Sequence, residues 1–500
     1  MGTVACDLGN WTLIVASANA DGRPEVVNNL LGDYSTPSVV YFPPGEDPVV
    51  GAEAANMAFA EPDRVVFHWK RHMGTDEVLY HGDDGREWRA RDIACLLLDY
   101  VKGLVEQRTG EVIRELAVTV PANYTEKQKG ETIEAAEQVG LEVVCLPTEP
   151  LAAALGNDVH LRGNAITLVY DLGGGTFDVT LLKVQGNLVE VLHTNGDPRL
   201  GGQDFNKRIQ DRALEAFQAE HGFVPDPKDS ADFRADLFSR IEQAKKTLTV
   251  RLKAHVMARY DGHILNWKVT RKEVEEWTSD LVKRSMTLVQ QTLDESRMDW
   301  SEVDVILPVG GGSRMPSVRS ALEQASGKNL AEKAEPDYAA AKGGVTASRI
   351  ELQRQGRKAT SNSGTLPVPN FFTREATSRP LGVCVIKNGQ TAEQCVLLDA
   401  GTPYPSTQVR TFGLVEPNQT EALIQVLEGE AGAPSDECVQ LGDFHLAGLP
   451  AHPETHTPRI ELTFQLDASG LLTATARDLK SGVTSDMSIQ YRSDVATQAP

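Results

Sequence analysis

Short apolar runs alternate with helical patterns through the first 350 positions. Thr3-Val4-Ala5-Cys6 leads into Asp7-Leu8-Gly9-Asn10, and Leu13-Ile14-Val15-Ala16 runs on as a second apolar segment. The run 166–170 leads in the same way into Asp171-Leu172-Gly173-Gly174-Gly175-Thr176-Phe177-Asp178. This unit of strand, Asp-Leu-Gly turn and strand thus occurs twice, roughly 160 residues apart, which predicts two similar half-domains whose turns face each other across one ligand. A dinucleotide-binding or P-loop unit would show one turn followed directly by a helix, whereas here each turn is followed by a strand.

Between and after the two hairpins the periods alternate. Positions 26–29 and 38–42 read as further strands of the first sheet. Helical spacing over 91–109 ends at Gly110, a glycine C-cap. A strand at 116–120 stops at Pro121, and the Thr125-x-x-Gln128 capping box opens a helix to 139. A strand at 141–146 precedes the small-residue helix 151–155. Positions 204–252 are helical, interrupted by the polar stretch 224–229, and a strand at 303–309 runs into Gly310-Gly311-Gly312-Ser313-Arg314 and a helix. Strands alternating with helices indicate α/β architecture. Positions 351–376 carry few large apolar side chains and read as a solvated linker. From 380 onward, runs such as 423–430 and 460–466 alternate with period two and predict an antiparallel β-domain, with Ser469-Gly470 as a hairpin turn.

The glycine-rich turn around Gly173, Gly174 and Gly175 lets peptide N–H groups converge on an anion, and Thr176 adds a hydroxyl donor. Asp171 and Asp178 would repel bare phosphate, so a divalent cation such as Mg²⁺ belongs between. Lys70 is then the nearest fixed cation in the first half, a point charge for a terminal phosphate or an attacking water. Glu242, Lys245 and Thr249 share one helix face at i, i+3, i+7, a spacing that a solvated face would also show. The third glycine turn offers amides to a phosphate, or a flat backbone to an adenine and ribose.

Composition narrows the partners. The chain has 500 residues, 41% hydrophobic and 24% charged, with a net charge of −21. Such an acidic chain is a poor nonspecific binder of nucleic acid or anionic membrane, so any phosphate is held by local geometry. The expectation is a cytoplasmic protein: the N-terminus lacks the pattern of a signal peptide, and the longest apolar run falls far short of the ~20 residues that span a bilayer. Six cysteines without a C-x-x-C pair fit reduced thiols.

Taken in order, Asp7-Leu8-Gly9, Lys70-Arg71, Val120-Pro121-Ala122, Glu149-Pro150-Leu151-Ala152-Ala153-Ala154, the 171–178 turn, Leu200-Gly201-Gly202-Gln203-Asp204-Phe205, positions 242–249 and Gly310 to Pro316 resemble the nucleotide-binding domain of the DnaK-type 70-kDa heat-shock chaperones. That family lies within the actin and sugar-kinase superfamily. The resemblance implies an α/β actin-like ATPase domain of two similar lobes (1–350), a linker (351–376), an antiparallel β-sandwich (377–492) and a short tail (493–500). It also implies an ATP-dependent chaperone of the stress response, using ATP/ADP and Mg²⁺, with unfolded or extended polypeptide segments and cochaperones as partners. By the same resemblance Lys70 orients the attacking water and γ-phosphate, Glu149 sits opposite it, and Thr176 touches the γ-phosphate. Asp7, Asp171 and Asp178 would hold hydrated Mg²⁺. Gly9, Gly201, Gly202, Glu242, Lys245, Lys246, Thr249, Gly311, Gly312, Arg314 and Asp337 would line the rest of the nucleotide site.

Two departures stand out. The family has two threonines after the first Asp-Leu-Gly, whereas this chain has Asn10 and Trp11. The backbone amides remain but both hydroxyls are gone, and Trp11 has three places to go: beside the nucleotide, into the core, or across the γ-phosphate position. The helical lid that follows the family's β-sandwich is expected to be missing, nine residues standing after Tyr491. Within the sandwich, Ile386, Phe412, Val415, Ala422, Ile424 and Val426 are peptide-pocket residues by position, the peptide adding backbone hydrogen bonds. His452, Glu454 and His456 have ligand-like spacing, but a proline-rich loop is a poor metal site. The alternative function is a nucleotide-dependent, non-catalytic binding or scaffold protein; a sugar or acetate kinase is disfavoured by the β-domain.

Overall fold

The computed structural model describes residues 3–488 except positions 59, 111, 227–229, 332–336, 362–363, 368, 378, 388–390, 454–456, 468–469 and 471. Two sheets with matching topology carry the first domain. In the first, Val4–Leu8 pairs antiparallel with Thr12–Ala18 and parallel with Glu115–Thr119, and Pro24–Val27 and Glu142–Cys145 form the flanks. In the second, Ala165–Leu172 pairs antiparallel with Phe177–Gln185 and parallel with Val305–Val309, with Leu188–Asp197 next in order. The repeat of hairpin plus parallel neighbour seen in the sequence is therefore a repeat of structure. The stretch 38–42 departs from expectation. Only Val40–Tyr41 is a strand there, and it belongs to a separate small sheet with Val49–Val50 and Val65–Val66.

The boundary residues follow local chemistry. Ala90–Thr109 ends at Gly110 with φ 73°, and Thr125 accepts from the Gln128 amide while the Gln128 side chain accepts from Thr125 N–H. Two helices then join the lobes. Glu149–Gly156 buries Leu151, Ala153, Ala154 and Leu155 against the second sheet. Ala339–Arg354 puts Ala341 and Val345 on the first sheet, and Ala339, Ala347 and Ile350 in the cluster of the second. Where the helices cross, a Cβ on Gly343 would sit 1.7 Å from the Ala152 carbonyl oxygen, and one on Gly156 would sit 2.0 Å from that of Ala339. Backbone touches backbone there, which only glycine permits.

The second domain is two four-stranded antiparallel sheets around one core that includes Val383, Ile424, Val426, Phe464 and Leu472. Ile460–Leu466 and Leu472–Asp478 form the expected hairpin; position 469 of its turn, position 471 and the tail 493–500 lie outside the described residues. Buried Arg459 and Asp478 pair at 2.6 Å inside this domain. The linker differs from its reading as a solvated stretch. The helix runs to Arg354, Leu366 is 3% exposed and Phe371 9% exposed, and Phe372–Arg374 adds a parallel strand to Leu188–Asp197 of the second lobe. The ring of Phe371 stacks on His160, centroids 4.0 Å apart. Isolated aromatic residues among polar ones carry no period to announce this, and the partner strand is some 180 positions away.

Gly343→Ala should lower the unfolding free energy of the first domain by about 1–3 kcal/mol through overpacking at the helix crossing. Gly103→Ala, in open space on Ala90–Thr109, should raise it by about 0.5–1 kcal/mol. Denaturant unfolding of the two variants checks the pair, and equal effects would refute the crossing argument.

Candidate functional site

A cleft of about 620 Å³ opens between the lobes, with the two hairpin turns facing each other across it. Lys70 reaches its floor from the short helix Trp69–His72. It is 5% exposed and donates to Leu8 O at 2.6 Å and to Glu149 Oε1 at 2.7 Å. Glu149 opens the lobe-joining helix, so the ion pair ties that helix to the first turn. Asp7 accepts from the Thr119 hydroxyl at 2.8 Å. Asp171 and Asp178 are register partners on adjacent strands, so both carboxylates project on one face and both are buried. Like charges directly opposite one another destabilise a sheet.

The electrostatics record the same imbalance. Burial pushes the Asp7 carboxyl up to about 6, with the Glu149 charge adding to it and Lys70 and the Thr119 hydrogen bond opposing. Burial and the charges of Glu149, Asp178 and Asp7 raise Asp171 well above the carboxylate range, and burial and Glu149 do the same to Asp178. Burial works against the Lys70 ammonium, yet Glu149, Tyr124 and Asp7 outweigh it and hold its pKa above the ordinary lysine value. Four carboxylates thus surround one cation. Among the described residues no three His, Cys, Asp or Glu side chains converge closely enough to hold a bare metal ion. The donor set fits a cation that keeps its own water shell and meets Asp7, Asp171 and Asp178 through it.

The remaining expected residues fall into three places. Gly9, Asn10, Trp11, Gly173, Gly174, Gly175, Thr176 and Gly202 line the end of the cleft formed by the two hairpin turns. Gly201 and Asp178 do not line it. Gly201 packs behind Gly175, where a Cβ would meet its backbone, and Gly202 N–H and Gln203 N–H brace the turn by donating to Gly173 O and Gly174 O. Asn10 is 9% exposed, and neither amide atom finds a hydrogen-bond partner among the described residues. At the other end, Glu242 bonds Lys245 at 2.8 Å and Asn206 at 2.6 Å, Lys246 approaches it at 3.5 Å, and Thr249 completes the face. Burial holds the Lys245 ammonium below its ordinary range against the pull of Glu242. Gly311, Gly312 and the ion-paired Arg314 and Asp337 close that end.

Four contributors, Arg71, Tyr338, Phe238 and His68, escaped the sequence reading. Arg71 crosses the cleft to donate to Gly175 O and to Asp204 at 2.8 Å, and only its place beside Lys70 hinted at that. Tyr338 lines the cleft mouth and meets Tyr34 at 5.6 Å. Phe238 and His68 pack on Trp11. No local pattern marks a ring whose partner lies in the other lobe.

With this geometry in place, comparison with known proteins is decisive. A family model described as Hsp70 protein matches residues 3–499. The chain belongs to the Hsp70 family. It is 33% identical over 474 residues to the chaperone protein DnaK of Halobacterium salinarum, in each of two strains, covering 93% of this chain and 72% of the relative. The α/β ATPase fold with two lobes and the β-sandwich are those of an Hsp70 protein, a family of ATPases and chaperones. Among the described residues no helix is long and apolar enough to cross a membrane.

In the β-sandwich of this Hsp70 protein the six pocket residues divide. Ile386 and Val415 are exposed, and Phe412 and Ala422 are half-buried against the core. Ile424 and Val426 lie inside it at 6% and 0% exposure, so Val426 is core and not a pocket wall in this arrangement. Of the His452, Glu454, His456 trio, the last two lie outside the described residues.

The sandwich touches the ATPase domain through a charged patch. Glu428 accepts from the Glu126 amide at 3.2 Å and lies 3.7 Å from Arg379. Lys129 bonds Glu126 at 2.6 Å, and Glu375 accepts from Thr148 and Tyr404. Burial and the Glu126 charge push the Glu428 carboxyl up to about 7, with Arg379 and Lys129 opposing. That value lies above the ordinary glutamate range, so Glu428's contribution to docking is fully present below about pH 4 and is lost as pH rises through about 7. The sandwich should therefore grip more tightly near pH 5.5 than near pH 8, and Glu428→Gln should shrink that difference, burial of Glu375 keeping part of it. Proteolysis of the 355–370 stretch, followed against pH, reads the effect; identical pH profiles for wild type and variant would contradict it.

Proposed function

We propose that the cleft binds MgATP and hydrolyses it slowly, and that the nucleotide state controls how the β-sandwich holds unfolded or extended polypeptide segments, in the cytoplasm and together with cochaperones. The observation that carries this reading is the Lys70–Glu149 pair, its ammonium buried, set between two glycine turns, two buried aspartates, Asp171 and Asp178, and the half-buried Asp7. A hydrated Mg²⁺ would offset the acid charge and bring phosphate oxygens near Asp7, Asp171 and Asp178. Lys70 has three N–H donors and uses two on Leu8 O and Glu149, leaving one for a water or a terminal phosphate oxygen. Glu149 keeps that ammonium charged and fixed. Thr176 supplies a hydroxyl, and the unpaired Asn10 amide takes the place of hydroxyl donors in the first turn. Glu242, Lys245, Lys246 and Thr249 face Arg314 across the nucleoside end.

A non-catalytic, nucleotide-dependent binder is the second reading, favoured by one observation. Trp11 and Asn10 lie so close on Gly174 and Gly175 that the phosphate end is narrow.

Single-turnover hydrolysis of labelled MgATP separates the two. Wild type should turn over, and Lys70→Ala should lose about 10²–10³-fold in rate while still binding nucleotide, as expected for removing a preorganised charge. Tight binding without turnover in wild type would instead support the binder. In either case nucleotide should shift the affinity for an unfolded peptide, and peptide should shift nucleotide affinity by the same factor.

A further inference from the structure

Trp11 leaves the tip of the first turn and crosses the cleft. Its indole lies on the second turn so closely that a Cβ on Gly174 would fall 1.7 Å from Cδ1. Beyond Gly174 it stacks on Phe238, with centroids 5.8 Å apart and planes inclined by 4°. His68 meets the indole edge-on at 4.8 Å and 73°, and meets Phe238 at 6.3 Å. Three elements thus converge: the first turn, the segment that enters the Lys70 helix, and Ala231–Val250 of the second lobe. Burial and the Arg71 charge push the His68 imidazole down to about 4, so at neutral pH the third ring is uncharged.

The helix carrying Phe238 also carries the nucleoside face. Phe238, Glu242, Lys245 and Thr249 stand at i, i+4, i+7 and i+11, which places all four on one side. Glu242, Lys245 and Lys246 line the same cleft as Gly9, Asn10 and Trp11 of the first turn, so a ligand held between them is freed by widening the gap between this helix and the first lobe. Drawing it away separates Phe238 from Trp11.

We propose that Trp11, Phe238 and His68 form an aromatic latch between the lobes that sets how fast bound nucleotide leaves. This rests on the reading of the cleft as a nucleotide site. It assigns Trp11 to the gate: the indole spans the turns without taking the place of a phosphate ligand, and Asn10 keeps its amide for the phosphates. The exposed edge of the stack remains half in water, so its contribution is that of one aromatic pair, and opening it changes a rate by about five- to tenfold.

The test is stopped-flow release of N-methylanthraniloyl-ADP chased with excess unlabelled ATP. Trp11→Ala and Phe238→Leu should each speed release about five- to tenfold, and Trp11→Phe should retain part of the slow rate. The double variant should release no faster than the faster single one, because each substitution removes the same contact. Phe238→Leu keeps apolar bulk on a half-buried position, so it reports on stacking even if Trp11→Ala folds poorly. Unchanged release in both single variants, or effects that multiply in the double, would overturn the latch alone. Failure of wild type to bind the labelled ADP would overturn the nucleotide reading and the latch with it.

Discussion

The Lys70 ammonium reaches Leu8 O and Glu149 from a helix only four residues long, and around it Asp171 and Asp178 are buried and Asp7 is half-buried. Burying charge of one sign in excess is among the costliest things a fold can do, and it persists only where a bound partner or another constraint compensates. Everything that meets at the cleft floor bears on that excess. The hairpins present the acids, the Glu149 helix anchors the Lys70 ammonium, and the two helices crossing at Gly343 and Gly156 pack on the sheets that carry the hairpins. Apolar burial in the separate cores of the lobes holds this arrangement in place.

That division of labour also explains what could be read from the sequence. The two Asp-Leu-Gly hairpins, the capped helices and the alternating β-domain are written in local periods and turn chemistry, and they stand where expected. The site residues carried by motifs, Gly201 and Asp178 excepted, line one cleft, because glycine turns and strand ends fix them locally. What escaped is of another kind. Arg71 acts on Gly175 and Asp204, Phe238 on Trp11, and Phe372–Arg374 on a strand of the second lobe. Each is a contact between elements far apart in the chain, and its meaning exists only after the lobes have come together. Val426 misled for the reverse reason: strand alternation says which residues face inward, but not whether that face is a pocket or filled core.

The two ends of the cleft differ in character. At the end lined by Glu242 and Arg314 the side chains are charged, paired and partly solvated, with Lys246 and Arg314 more than half exposed. Screening by solvent keeps such pairs adaptable. At the end lined by the two hairpin turns backbone packs closely on side chains, with Arg71 and the aromatic cluster bridging the lobes.

The strand Phe372–Arg374 has one more implication. It covers only the Leu188–Glu190 portion of an edge of the second-lobe sheet, and it is part of the tether between domains. An uncovered strand edge is a row of unsatisfied donors and acceptors that invites pairing with another chain. Whenever the tether comes away, this Hsp70 protein offers such an edge itself. Its protection against self-assembly is therefore a matter of effective concentration: a strand held a few residues away re-pairs before a second molecule can arrive.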